Sequence, residues 1–208
     1  MDYAGFEPGI ASGMTDADES RHAPRLRLLI RAAKLVSAYG EFVCVLRDVS
    51  STGVSVKLFH ALPECTEMQL ELQCGDKFDL EHRWIRGREA GFEFKGPVNV
   101  DRVISEDSVF PKRALRLGLQ FPAKLRTMSG ESEAFVENLS QQGARIECDR
   151  LFAIDQTVRI EAAGVPEIRA KVRWRNRNQY GVVFDDTFTF QDLAIVAAKI
   201  QCPKLLSD

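Results

Sequence analysis

A stretch near residue 50, Arg47 to Gly53 (RDVSSTG), returns ninety residues later as Glu137 to Gly143 (ENLSQQG). The same offset carries Asp48 onto Asn138, Ser50 onto Ser140 and Gly53 onto Gly143. It also carries Arg83 onto Arg173, Trp84 onto Trp174, Gly91 onto Gly181 and Phe94 onto Phe184. With Gly and Ser each near 7% of average usage, one [Asp/Asn]-x-Ser-x-x-Gly arises by chance in roughly a tenth of chains of this size. Two copies that share their offset with a Trp, a Gly and a Phe are a repeat, and a fixed period marks one structural unit written twice. A basic pair precedes each copy: Arg21-x-x-x-Arg25 before the first, and Lys112-x-x-x-Arg116, one residue out of register, before the second.

The 208 residues therefore divide into two modules, each large enough for its own core. We expect a disordered tail over residues 1–20, a first module over 21–104, a short polar linker over 105–109 and a second module over 110–208. The beginning, MDYAGFEPGIASGMTDADES, has neither a basic start nor an apolar run, which predicts no signal peptide, no membrane insertion and a cytoplasmic protein. Five cysteines without C-x-x-C spacing read as free thiols, and three scattered histidines predict no metal site.

Strand-length runs follow one another in the same order in both halves. The first has LLIRAAKLV, EFVCVL, GVSVKLF, EMQLELQ, KFDLEHRWI and AGFEF; the second has LGLQFPAKLR, EAFVEN, ARIE, TVRIEA, EIRAKVRW and YGVVF. Met68, Leu70 and Leu72 alternate with polar residues, as do Phe78, Leu80, His82 and Trp84, which is the period of half-buried antiparallel strands. The fold class expected is all-β: two tandem six-stranded antiparallel β-barrels. On this alternation Trp84 and Trp174 fall on the apolar side and are assigned to core packing. A helix is expected from Thr189 to Ile200, capped by Thr189 with Asp192 and covering an open end of the second barrel.

The repeated motif has two readings. Asp-x-Ser-x-x-Gly builds a β-turn, because Asp and Ser bond local backbone and Gly supplies a positive φ. Set beside Arg21 and Arg25, the same residues suit an anionic guanine nucleotide. Arginine forks phosphate or the guanine O6 and N7, a carboxylate accepts from the guanine N1–H and N2 amino group, and Gly53 lets the backbone turn or approach a flat ligand.

Arg-x-x-x-Arg followed by [Asp/Asn]-x-Ser-x-x-Gly, in a six-strand module that ends in a Trp strand and a GVxF-like strand, resembles the PilZ family of cyclic di-GMP receptors. The chain is similar to two PilZ domains in tandem. The resemblance implies cyclic di-GMP held on the outside of each barrel. It implies Arg21, Arg25, Asp48, Ser50 and Gly53 as the first site, with Lys112, Arg113, Arg116, Asn138, Ser140 and Gly143 as the second. Lys112 stands where the family has Arg, and a lysine cannot stack on guanine or fork two acceptors. Ser20 and Pro111 precede the basic pairs where an extra Arg favours a stacked ligand pair in the family. One tight site per chain, with a weaker or absent second, is therefore the expectation.

No nucleophile stands beside a base and no Gly-rich loop opens a helix, so neither an enzyme nor a cofactor is expected. The function expected is a receptor or adaptor that passes a ligand-induced change to a protein partner. The alternatives are an interaction module with lapsed nucleotide sites, or nucleic-acid binding through the basic stripe Arg169, Lys171, Arg173, Arg175 and Arg177. A net charge of −2 argues against nucleic acid as the partner.

Overall fold

The computed structural model describes residues 26–65, 67–105 and 114–207. The expected tail, Arg21, Arg25, most of the linker, Lys112 and Arg113 lie outside the described residues.

Two closed barrels account for nearly all the strands. The first is built from β1 (Leu26–Ser37), β2 (Gly40–Val49), β3 (Gly53–Lys57), β4 (Met68–Glu71), β5 (Lys77–Arg86) and β6 (Glu89–Phe94). Its strands run in the order β1-β2-β3-β6-β5-β4, every neighbouring pair is antiparallel, and β4 returns to β1 to close the ring. After the two-residue strand β7 (Arg116–Leu117), the second barrel comprises β8 (Phe121–Thr127), β9 (Gly130–Ser140), β10 (Gly143–Glu147), β11 (Thr157–Ala162), β12 (Val165–Asn176) and β13 (Gln179–Phe184). The ring β8-β9-β10-β13-β12-β11 repeats the order of the first and closes through β11 and β8. Closure leaves no unpaired sheet edge in either ring.

Alternation explains why these segments became strands. In β8 the apolar Phe121, Ala123 and Leu125 are buried while Pro122, Lys124 and Arg126 face outward, and each barrel fills with inward side chains of this kind. Register also explains the displaced basic pair. Leu26 pairs with Val49 in the first module, and Leu117 pairs with Leu139 in the second. The segment before each barrel is thus offset by ninety-one residues, which makes Arg116 the counterpart of Arg25.

The chain between the barrels is not merely a polar connection. Residues Val100–Ser105 form a short helix, α1, that buries Val103 against the first core. Arg102 forks both carboxylate oxygens of Asp76 at 2.7 Å. All five cysteines are free thiols; burial pushes the Cys44 thiol up to about 12.

The C-terminal helix α2 (Phe190–Gln201) starts as the sequence predicts. Thr189 Oγ1 accepts from the Asp192 N–H at 3.1 Å, and the Thr189 N–H donates back to Asp192 Oδ2 at 3.3 Å. It does more than cover the second barrel. Leu193, Ala194, Val196 and Ala197 join the second core, whereas Ala198 packs with Phe42 of β2 and with Leu205 in the closing 3-10 turn Pro203–Leu206. The apolar surface of the helix is broader than one stripe, so it is buried on two sides. Gln201 fastens the contact: its Oε1 accepts from the Glu41 N–H and its Nε2 donates to the Glu41 carbonyl, both at 2.8 Å. Glu41 also accepts from the Gly118 N–H at 2.8 Å, and Ala32 and Val43 of the first barrel join the second module's apolar cluster. The two barrels therefore meet along the β1–β2 hairpin.

Candidate ligand site

The repeated turn positions its residues in a definite way. Ser50 is 6% exposed and Ser140 4%, and both hydroxyls are engaged inside their own turns. Ser50 Oγ accepts from the Gly53 N–H at 3.1 Å, and the Ser50 N–H donates to the Gly53 carbonyl at 2.8 Å. Ser140 Oγ donates to the Gly143 carbonyl at 3.0 Å. The structure thus gives these serines a turn-building part. The glycines are needed for room: a Cβ on Gly53 would lie 2.6 Å from the Phe92 carbonyl oxygen, and one on Gly143 would lie 2.2 Å from that of Val182. Close approach of the neighbouring strand, rather than a positive φ or an approaching ligand, is what the structure assigns to them.

Asp48 stands outside the wall. The pairing of β2 with β3 slips between Leu46 and Asp48, leaving Arg47 bulged. A bulge places two successive side chains on one face, and here both Arg47 and Asp48 escape burial. Ser55, opposite Asp48 on β3, donates its hydroxyl to Asp48 Oδ2 at 3.1 Å. That bond orients the carboxylate.

The row continues across the wall from Ser55 to Gly91 on β6 and from Gly91 to Trp84 on β5. Trp84 is not in the core, which corrects the assignment made from alternation. The β5–β6 pairing slips between His82 and Trp84, and that bulge reverses the side on which the indole emerges. Trp174 is turned outward by the same slip between Val172 and Trp174 and is 42% exposed. Each indole lies across a glycine: a Cβ on Gly91 would come 2.0 Å from Trp84 Nε1, and one on Gly181 1.9 Å from Trp174 Nε1. The Arg86 guanidinium sits 5.4 Å from the Trp84 ring. The first barrel therefore carries a shelf of four strands, Asp48–Ser55–Gly91–Trp84. At an interstrand spacing near 4.8 Å its length is about 14 Å, from a carboxylate at one end to an aromatic plate at the other.

The second barrel repeats the shelf as Asn138–Arg145–Gly181–Trp174. Arg116 of β7 pairs with Ser140 and points outward between the buried Leu115 and Leu117. Of the residues predicted from sequence, the structure brings together Arg116, Asn138, Ser140 and Gly143 at the second barrel, and Asp48, Ser50 and Gly53 at the first. Sequence reasoning missed Ser55, Gly91, Trp84 and their counterparts. A signal was available: Trp84 and Ile85 stand side by side where strict alternation allows one apolar residue, and a glycine follows seven residues after the Trp in both modules.

The basic stripe of β12 has carboxylates among its neighbours. Arg169 lies 3.9 Å from Asp185 and Arg173 3.3 Å from Asp155, while Arg159 on the adjoining strand lies 3.7 Å from Glu167. No described helix is long and apolar enough to cross a membrane.

Residues 111–199 match the family model of the PilZ domain. A search of curated proteins finds no match. Among solved structures, the chain is similar to the Borreliella burgdorferi PlzA protein in complex with c-di-GMP, with a TM-score of 0.33 and 11% identity over 81% of this chain and 87% of that one. It is also similar to the K. pneumonia MrkH–c-di-GMP complex, with a TM-score of 0.32 and 14% identity over 82% and 84%. The PilZ domain of CeSA from a cellulose-synthesizing bacterium gives a TM-score of 0.32 and 15% identity over 42% of this chain and 95% of that one.

Proposed function

We propose, from the match of residues 111–199 to the PilZ domain model, that the chain is a cyclic di-GMP receptor, with its main site on the shelf of the first barrel. The observation that carries this reading is the row Asp48–Ser55–Gly91–Trp84. It joins a guanine-reading carboxylate to an aromatic plate on one flat outer wall. Because the Trp84 indole lies across Gly91, a guanine stacked on it extends toward Asp48 with its N1–H and N2 amino donors. Arg21 and Arg25, which precede β1, supply the phosphate forks.

The same strand that holds Asp48 reaches the other module. β2 carries Asp48 near one end and Glu41, Phe42 and Val43 at the other, about 24 Å away for seven residues of strand. The latter three are the residues that contact α2, Gly118 and the second core. Ligand on the shelf changes the tension on β1 and β2 and through them the docking of the second barrel, which is the output offered to a protein partner. Two discrete arrangements of packed units are a common vehicle for such coupling.

Calorimetric titration of the full chain with cyclic di-GMP tests the reading. Saturable binding with at least one site per chain is expected, accompanied by a change in tryptophan fluorescence. A titration without heat, with tryptophan emission unmoved, overturns it.

A further inference from the structure

The second shelf departs from the first in its middle. Where the first barrel has Ser55 between Asp48 and Gly91, the second has Arg145 between Asn138 and Gly181. Glu137, the bulged residue beside Asn138, grips Arg145 at Nε. Gln179 Nε2 donates to the other oxygen of the same carboxylate, Glu137 Oε1, at 3.1 Å. A guanidinium gripped at Nε is restrained in its plane and still has the end-on edge formed by its two Nη groups to offer. The Arg145 side chain is 43% exposed and that of Glu137 17%, so the anchored end is the covered one and the fork reaches solvent in the row that ends at Trp174.

We propose that Arg145 is the nucleotide-reading residue of the second module, binding guanine at O6 and N7; this rests on cyclic di-GMP being the ligand. Arginine presents a planar fork that matches those two acceptors, and a lysine does not. Asn138 reinforces the contrast with the first shelf, because its amide adds an NH2 donor that Asp48 lacks. The first shelf offers acceptors to the N1–H and N2 amino edge of the base. The second offers donors to the O6 and N7 edge. The fork that the family's first Arg would supply, and that Lys112 cannot, comes instead from the barrel wall.

The two edges are separated by cyclic di-IMP, whose hypoxanthine base lacks the N2 amino group and keeps O6 and N7. The full chain carrying Asp48→Ala together with Trp84→Ala, which removes both ends of the first shelf, is titrated with both nucleotides. The remaining site is expected to bind cyclic di-GMP and cyclic di-IMP equally. Adding Arg145→Ser, the residue the first barrel tolerates at that place, lowers its affinity by on the order of 10-fold or more. Arg145→Lys, which keeps the charge and loses the fork, does nearly the same. In the complementary chain, Arg145→Ser alone, the first site still binds cyclic di-GMP and discriminates against cyclic di-IMP. The proposal is overturned if the Asp48→Ala, Trp84→Ala chain binds neither nucleotide, if its site survives Arg145→Ser, if Lys restores it fully, or if it rejects cyclic di-IMP. Absence of cyclic di-GMP binding from the wild-type chain at both modules would instead sink the receptor reading itself.

Discussion

Gly91→Ala places a methyl group where the structure has an indole. The added Cβ would lie 2.0 Å from Trp84 Nε1, 2.1 Å from Cε2 and 2.7 Å from Cζ2. The ring must therefore leave the wall. Backbone geometry does not oppose the substitution, because Gly91 has no positive φ, and Trp84 lies outside the barrel core. The barrel is expected to fold, with its aromatic plate displaced. Stacking of one base on an aromatic side chain contributes about 1–3 kcal/mol by alanine substitution, so affinity for cyclic di-GMP should fall roughly 5- to 150-fold. Calorimetry at fixed salt measures the loss, and circular dichroism checks the fold. Trp84→Ala should weaken binding similarly, and the double variant should be little worse than either single, because both act through the same indole. Normal affinity in a folded Gly91→Ala chain whose Trp84→Ala counterpart is weakened would refute the displacement argument. Normal affinity in both would remove Trp84 from the site.

Replacing Arg21 or Arg25 by Ala should cost about 1.5–3 kcal/mol of cyclic di-GMP binding, roughly 10- to 150-fold, with thermal stability unchanged; unaltered affinity in both would exclude them as ligand contacts. His60 supplies a pH prediction. It is 1% exposed, its ring centroid lies 4.9 Å from that of Phe42, and its Nδ1 lies 2.7 Å from the Ala61 carbonyl. Burial, opposed by the Ala61 bond and aided by Arg88, holds its pKa below the ordinary 6.5. The unfolded chain then binds a proton that the folded chain resists, so stability is full above about pH 6.5 and declines as pH falls toward the folded value. Urea titrations across that range should show a flatter dependence in His60→Leu, and identical slopes would contradict this. Because Ala61 donates its N–H to the Leu205 carbonyl, the same acidification should increase proteolysis of the C-terminal turn.

Much of the fold was legible because its signals are local and repeated. Alternation in β4 and β8, the ninety-residue echo and the Thr189–Asp192 cap each depend on side chains close in sequence. What was hidden depends on register. In KFDLEHRWI only the adjacent Trp84 and Ile85 hint that Arg83 is bulged, and that slip takes Trp84 from the core to the outer wall and makes it part of the shelf. The part played by Gly53 was equally out of reach, since it is set by a carbonyl on β6. The contact of α2 with Phe42 joins residues more than 150 positions apart, and no periodicity encodes such a pairing.

The claim that the Asp48 shelf reads guanine is tested most directly by selectivity. Wild-type and Asp48→Ala chains are titrated with cyclic di-GMP and cyclic di-AMP under one buffer and salt concentration. Adenine has no N1–H to donate, so the carboxylate should favour only the guanine ligand. The wild-type chain should prefer cyclic di-GMP, and Asp48→Ala should narrow the gap by weakening cyclic di-GMP about 10-fold or more while leaving cyclic di-AMP nearly unchanged. Equal weakening of both nucleotides would contradict the account and reduce Asp48 to a residue that shapes its turn.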